Sequence, residues 1–452
     1  MSKVYIFGAG PTGLTLAWIY SQKGFQVTVY ERWKAAGGSW AAKWTEDGEF
    51  THHSPQILST AYVNTFRIWN EMGIDKSKFL QPYKSSWRDA INMNTRELLL
   101  MAVAYLKYAT GVLENTTVQE YFKSSNLSKE AEKSLVDLCY LVDGVPPSKM
   151  TMDEIFGVFD QTFFYSTMEM KEASDSPNGF ATLVQQRLEE NGVKFVFNAS
   201  LYDLSYTAGR IHATGRMTYD KKERFLVTAT GDDHVILTMD PSSLINVINR
   251  SDSKIQNNWG IDLTDFLADG VYYSLSIQFH FDEPWLPELS EATKRGSSTP
   301  WGIICVQVPD TIAPSSLTST ILNLSHVRGL EPEQIKIEAW RQIKEANPYF
   351  PEPSNITFGI GSTFDGEWNF DMSAAVRTTQ GSLTPTGDIK NLHIVGPVND
   401  RRFKATTMEA AVESAILFSG DSVKQSVTLS AVIIFFIVIT IVFATAIMVA
   451  KN

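Results

Sequence analysis

Three spaced glycines near the N-terminus constrain this chain more than any other feature. The run Val4-Tyr5-Ile6-Phe7-Gly8-Ala9-Gly10-Pro11-Thr12-Gly13 reads as a buried strand, a sharp turn and the start of a helix. Val4 and Ile6 alternate as strand residues do, and Leu14, Leu16, Ala17 and Ile19 continue an apolar helix. Gly8 lets the chain turn out of the strand, Gly10 leaves the backbone open to a pyrophosphate, and Gly13 lets the helix pack close to the strand. Pro11 suits the first helical turn, where its missing N–H is not needed. The free N–H groups at Thr12 and Gly13 and the positive end of the helix dipole then face the phosphates. Val27 and Val29 make a second strand, and Glu31 ends it where a carboxylate meets a ribose hydroxyl. Lys3 before an apolar stretch also resembles the start of a secretory signal. The spaced glycines, Pro11 and the lack of a small-residue cleavage site argue against that.

NAD and FAD share this fingerprint, and the residues after it separate them. Glu31-Arg32-Trp33-Lys34-Ala35-Ala36-Gly37-Gly38 resembles the E-x5-GG extension of flavoproteins in the glutathione-reductase-like class. That resemblance implies FAD, with Gly37 and Gly38 letting the loop run close over the diphosphate and Arg32 and Ser39 flanking it. His53-Ser54-Pro55-Gln56-Ile57-Leu58-Ser59-Thr60 is similar, in altered form, to the G-P-H-I-F-H-T segment of UDP-galactopyranose mutases. Near the other end, Asn391-Leu392-His393-Ile394-Val395-Gly396 is followed by Thr406-Thr407-Met408-Glu409-Ala410-Ala411-Val412-Glu413-Ser414-Ala415. This pair resembles the closing segment of the flavin amine oxidase and phytoene desaturase superfamily. The resemblance implies that Gly396, Thr407 and Met408 lie at the flavin, with a helix N-terminus favouring negative charge at its N1/O2 edge. It also implies a backbone contact with adenine near Leu201, after the strand in Gly192–Asn198. The chain departs from the family pattern at Ser39 and Trp40, where members often carry arginine, and at Pro397, where an acid usually stands; Asn399 and Asp400 are the candidate substitutes. Gln56 and Ser59 replace the histidines of the mutase segment.

The C-terminus carries the second signal. Val427 to Ala450 contains no charged residue. As a helix it would rise about 36 Å, more than the roughly 30 Å of a bilayer's hydrocarbon core. A single-pass, tail-anchored protein with its FAD domain on the cytosolic side is therefore expected, with Arg401, Arg402, Lys404 and Lys424 on the domain side. The two cysteines, Cys139 and Cys305, give no disulfide framework. A net charge of -11 without a basic block argues against nucleic acid as a partner.

The expected fold class is α/β: a Rossmann-like FAD-binding domain, an interleaved α+β substrate domain, and one C-terminal transmembrane helix. FAD-binding pieces are expected at 1–60, 176–260 and 376–424, a mostly helical substrate lobe at 61–175, a sheet plus helix at 261–375, and the span at 427–450. Helices are expected over Leu98 to Leu113, Ser128 to Leu141 and Glu333 to Ala346, with Pro332 opening the last. Tyr202 to Thr230 reads as a β-meander, His234 to Met239 as a strand of the FAD sheet, and Tyr272 to Phe281 as a strand paired with Trp301 to Val308.

The flavin would carry the chemistry, and the protein would supply position and electrostatics. The expected reaction is hydride transfer from an amine or another lipophilic small molecule. His53, beside the flavin-facing segment, and Lys404, before the flavin-facing helix, are the catalytic candidates. Trp368, Phe370 and Arg377 fall where family members line the substrate cavity. The seven histidines show no ligand spacing, so no metal is expected. Three rivals stay open. One is a UDP-galactopyranose mutase-like flavoenzyme. Another is a flavin monooxygenase, whose second fingerprint would have to be Gly359-Ile360-Gly361. The third is a non-catalytic binding protein on a fold like that of the GDP-dissociation inhibitors.

Overall fold

The computed structural model describes residues 2–424 apart from 41, 45–49, 53–56, 83–92, 111, 114, 144, 163–164, 171–179, 221, 270, 283–298, 308–315, 322–323, 360–362, 365–366, 369–371, 376–380 and 403–406. Short runs of β-branched and leucine residues build a parallel sheet of five strands. They are β1 (Lys3–Phe7), β2 (Gln26–Tyr30), β3 (Lys194–Val196), β7 (His234–Leu237) and β13 (Leu392–Ile394), in the order β13-β7-β1-β2-β3. Strands far apart in the chain thus lie side by side, with Val4 level with both His234 and Val27.

Both faces of this sheet are covered, as a parallel sheet requires. On one face, Val4, Ile6, Val27 and Val29 pack against α1 (Pro11–Gln22), α7 (Phe180–Glu190) and α10 (Met408–Phe418). On the other, Phe7, Val235 and Leu237 meet α8 (Pro241–Arg250) and a meander of β4 (Ala199–Thr207), β5 (Arg210–Met217) and β6 (Arg224–Ala229). The chain runs from β1 through β2 to β3 on one side and returns to β7 on the other, so its order reverses between β1 and β7, and the carboxyl ends of strands at such a point are where open α/β sheets take ligands.

A second sheet contains β8 (Val271–His280), β9 (Ile303–Gln307), β10 (Ser316–Ile321), β11 (Asn355–Phe358) and β12 (Met372–Ala375), with α9 (Pro332–Ala346) against it. Its order is β9-β10-β8-β11, and β12 pairs with the first half of β8. The expected pairing of 301–308 with 272–281 is therefore corrected, because β10 lies between them. Its sequence, Ser316-Leu317-Thr318-Ser319-Thr320-Ile321, carries too few apolar residues to announce a strand.

A helical part comprises α3 (Thr95–Ala109), α4 (Val118–Ser124), α5 (Lys129–Asp143) and α6 (Met152–Thr162); α2 (Val63–Glu71) packs instead on α10. The helix expected from Leu98 starts three residues earlier, because Asn94 and Glu97 form a reciprocal capping box. Ser128 accepts the N–H of Ala131 at 3.2 Å and starts α5 as expected. Among the described residues no helix is long and apolar enough to cross a membrane. The run 427–450 lies outside them.

Candidate functional site

The three fingerprint glycines do three different things. Gly8 has φ +112°, and its N–H donates to Tyr30 O at 2.8 Å. A Cβ there would sit 3.0 Å from the Thr238 backbone. A Cβ on Gly13 would fall 2.0 Å from Gly8 O, so this glycine lets α1 close onto β1. A Cβ on Gly10 would meet nothing within 4 Å. Gly10 therefore borders open space at the N-cap of α1, with Pro11 at the first helical position. The N–H groups of Thr12 and Gly13 belong to the first turn, which has no intrahelical acceptors. Such N–H groups, with the positive end of the helix dipole, suit an anion placed beside the open face of Gly10.

The glycine pair closes over this turn. Gly37 and Gly38 have φ +132° and +54°. Gly37 N–H donates to Ala9 O at 2.9 Å, and a Cβ on Gly38 would lie 2.9 Å from Gly10 Cα. No other residue type allows that approach without moving the turn. Ser39 follows in a single turn, Gly38–Trp40.

Glu31 is buried at the end of β2. Its Oε2 accepts the Ala9 N–H at 2.7 Å and its Oε1 the Trp33 N–H at 3.0 Å. Burial pushes its pKa up, and the two N–H donors oppose that shift. Each oxygen keeps a further lone pair for a hydroxyl donor. Arg32 is turned away: its Nη1 donates to Ser243 Oγ at 3.1 Å, and its Nη2 lies 3.9 Å from Asp240, the N-cap of α8. Leu201 is buried in β4 opposite Gly215. Its strand begins at Ala199, whose N–H donates to Glu31 O at 2.8 Å, so the predicted adenine contact lies close to the acid.

The far end of the chain comes to the same place. Thr407 is the N-cap of α10, and its hydroxyl is buried without a hydrogen-bond partner. The helix runs along α1, and Thr12 Oγ1 donates to Ala411 O at 3.2 Å. The first turns of α1 and α10 are thus in contact, and their positive ends add. A Cβ on Gly396 would meet nothing within 4 Å. Asn399, a candidate substitute for the missing acid, spends its side chain on its own turn. It accepts the Gly396 N–H at 2.8 Å and donates to Leu383 O and Ile394 O. Met408 is the first residue of α10 and packs partly against the core.

Two groups escaped the sequence reading. Thr238, just after β7, donates to Gly8 O at 2.8 Å and is what a side chain at Gly8 or Gly13 would strike. Its signal was available: a strand returning beside β1 puts its next residue at the glycine turn. Glu409 is the other. Buried in the first turn of α10, it accepts Asn64 N and Nδ2 at 2.8 Å, Thr65 N at 2.9 Å and Thr65 Oγ1 at 2.7 Å. It caps the start of α2, with burial raising its pKa against four donors. No local pattern links positions this far apart. His53, Lys404, Phe370 and Arg377 lie outside the described residues, while Trp368 is in a two-residue strand, Glu367–Trp368. Arg402 donates its backbone N–H to Glu413 Oε1 of α10 at 2.7 Å. Among the described residues no His, Cys, Asp and Glu side chains gather as a metal site.

An open cradle at Gly10, an acid beside it, and an unpartnered hydroxyl at the start of α10 fit a long dinucleotide lying across both helix starts. Residues 6–72 match the NAD(P)-binding Rossmann-like domain family. Among solved structures, cyclohexylamine oxidase from Brevibacterium oxydans superposes with a TM-score of 0.61 at 14% identity, over 93% of this chain and 98% of that one. The fold of this chain is similar to that of this amine oxidase. A putrescine oxidase bound to putrescine gives 0.65 at 13% identity, again over 93% and 98% of the two chains. An oxidoreductase from Methanosarcina mazei gives 0.62 at 15%, over 93% and 100%. No curated protein matches the chain by sequence. The likeness of fold therefore extends well beyond the fingerprint, over 93% of the chain.

Proposed function

We propose that this protein is an FAD-dependent oxidoreductase that oxidises an amine or another lipophilic small molecule, held at a membrane by residues 427–450 with its FAD domain on the cytosolic side. The observation that carries the reading is the junction of the α1 and α10 first turns beside the open face of Gly10. The FAD held here would supply a hydride acceptor for a substrate C–H bond, and an amine that gave up that hydride and its N–H proton would leave as an imine. The α1 N-terminus binds the pyrophosphate, and Glu31 accepts from the adenosine ribose. Thr407 and the positive end of α10 would hold the flavin ring and favour negative charge on it. The amine class is supported by relatives named for cyclohexylamine and putrescine. The membrane reading rests on the uncharged run alone.

The test is optical. Full-length protein purified in detergent should show a flavin spectrum that bleaches anaerobically with a primary amine and returns with oxygen. Gly10→Val fills open space and should lose the flavin with its circular dichroism unchanged. Full flavin occupancy in that variant would sink the placement. A colourless wild type that cannot be reconstituted would sink the enzyme reading and favour the binding-protein alternative. Release of the protein by alkaline carbonate would remove the anchor.

A further inference from the structure

Helix α3 is apolar on two sides. Its inner side, Met101, Ala104 and Tyr105, is buried in the helical part against residues such as Phe156. Its outer side exposes Leu98 at 52%, Leu99 at 64%, Val103 at 51% and Leu106 at 40%, and Val112 just beyond the helix at 68%. At 3.6 residues per turn, Leu98, Leu99, Ala102, Val103 and Leu106 form one stripe. Elsewhere the surface behaves differently. Ile337 of α9, 68% exposed, stands on a helix that also carries Glu333, Lys336, Glu338 and Arg341 in ion pairs. Single exposed apolar residues of that kind are ordinary, and a contiguous stripe is not.

We infer that the outer face of α3 lies in the interface of a phospholipid bilayer with anionic headgroups. This inference rests on the membrane part of the reading above. Three observations favour lipid over other occupants. Arg96 and Lys107 border the stripe, both exposed, and the charge of Arg96 is felt by Glu97 beside it in sequence. The one acid of that turn, Glu97, is buried and accepts the N–H groups of Asn94 and Ser128. Cations bordering an apolar stripe, in a chain of net charge -11, complement anionic headgroups. The exposed apolar surface is on the order of 500 Å², below the about 800 Å² a side of a standard protein interface. The same chain also carries an uncharged run long enough to span a bilayer. A helix lying in the plane of the interface would sink its apolar side roughly 5–10 Å below the headgroups.

The full chain, reconstituted in phosphatidylcholine vesicles with and without phosphatidylserine, tests this. Leu99→Cys carries a fluorescent label in one sample and Ile337→Cys in the other. The native cysteines are both buried. Brominated acyl chains should quench the label at position 99 about threefold more than the label at 337, and aqueous iodide should do the reverse. Arg96→Gln with Lys107→Gln should shrink the quenching in phosphatidylserine vesicles. Equal quenching at both positions overturns the inference. Protection from iodide without quenching by bromine also overturns it, because a second copy or residues 427–450 then cover the stripe. Carbonate extraction reads the span alone and bromine quenching reads α3 alone, so the two claims can fail separately.

Discussion

The two sheets of this protein bury opposite kinds of surface. The parallel sheet is apolar on both faces, with Val4 and Ile6 on one and Phe7, Val235 and Leu237 on the other. The antiparallel sheet is apolar on one face only, where Leu275, Ile277 and Phe279 pack with Trp340 and Ile343 of α9. Its other face is buried but polar: Ser276, Gln278 and His280 on β8, with Ser316 and Thr318 on β10. His280 Nδ1 lies 3.1 Å from Ser316 Oγ, and its Nε2 lies 2.9 Å from Thr357 Oγ1. Such a face must be hydrogen-bonded to be tolerated away from water. The parallel sheet offers a ligand its main chain, through glycines and helix starts. The antiparallel sheet offers side chains. On the function proposed here, a polar group of the substrate is expected to meet the second sheet and the cofactor the first.

The largest effect that would break this contrast is at Gly13. Gly13→Val drives a side chain into Gly8 O and should cost about 3 kcal/mol or more in urea unfolding. A cost below that of Gly10→Val would show that the two glycines have been assigned the wrong way round. Next comes Glu31→Ala, which leaves the N–H groups of Ala9 and Trp33 unpaired. It should lose about 2–3 kcal/mol of stability and much of the flavin, while Glu31→Gln, keeping one acceptor, should lose less.

The third prediction concerns the far end of the parallel sheet. His234 Nδ1 and His393 Nε2 lie 3.0 Å apart, and Thr386 Oγ1 lies 2.8 Å from His393 Nδ1. Burial first, and His234 second, depress the pKa of His393 from 6.5 to about 3. The native pair therefore stays neutral where the unfolded chain takes up a proton. Its contribution is fully present above pH 6.5 and is lost as the pH falls toward 3. At about 1.4 kcal/mol per pH unit, the drop from pH 6.5 to pH 5 should cost about 2 kcal/mol, and His393→Gln should flatten that slope. An identical slope in wild type and variant would remove the pair from the titration.

The smallest effect sharpens the comparison directly. His280→Phe should leave the flavin spectrum unchanged and lower kcat/KM for an amine about tenfold, near 1.4 kcal/mol. A loss of flavin instead would mean that the polar face supports the cofactor rather than the substrate.

This division also explains what the sequence disclosed. Gly8, Gly10, Gly13, Gly37 and Gly38 act by lacking a side chain, and that is visible in a one-letter code. The start of α10 at Thr407 and Met408 was legible because a strand ending in glycine leads into an apolar helix. The polar face was not. Ser316-Leu317-Thr318-Ser319-Thr320-Ile321 alternates too weakly to reveal a strand, and what makes Gln278 and His280 special is their shared burial with residues far along the chain. The contacts of Arg32 were hidden for a similar reason: Asp240 and Ser243, which meet its guanidinium, lie far along the chain.

Asn64 has one more consequence. Its side chain accepts the Lys424 N–H at 2.8 Å and donates to Lys424 O at 3.0 Å, and the same amide donates to Glu409 at 2.8 Å. Whatever pulls on the chain beyond Lys424 therefore tugs on a single asparagine first. The strain passes from there in one step to the residue after Met408, so a load applied beyond Lys424 is geared mechanically to the first turn of α10.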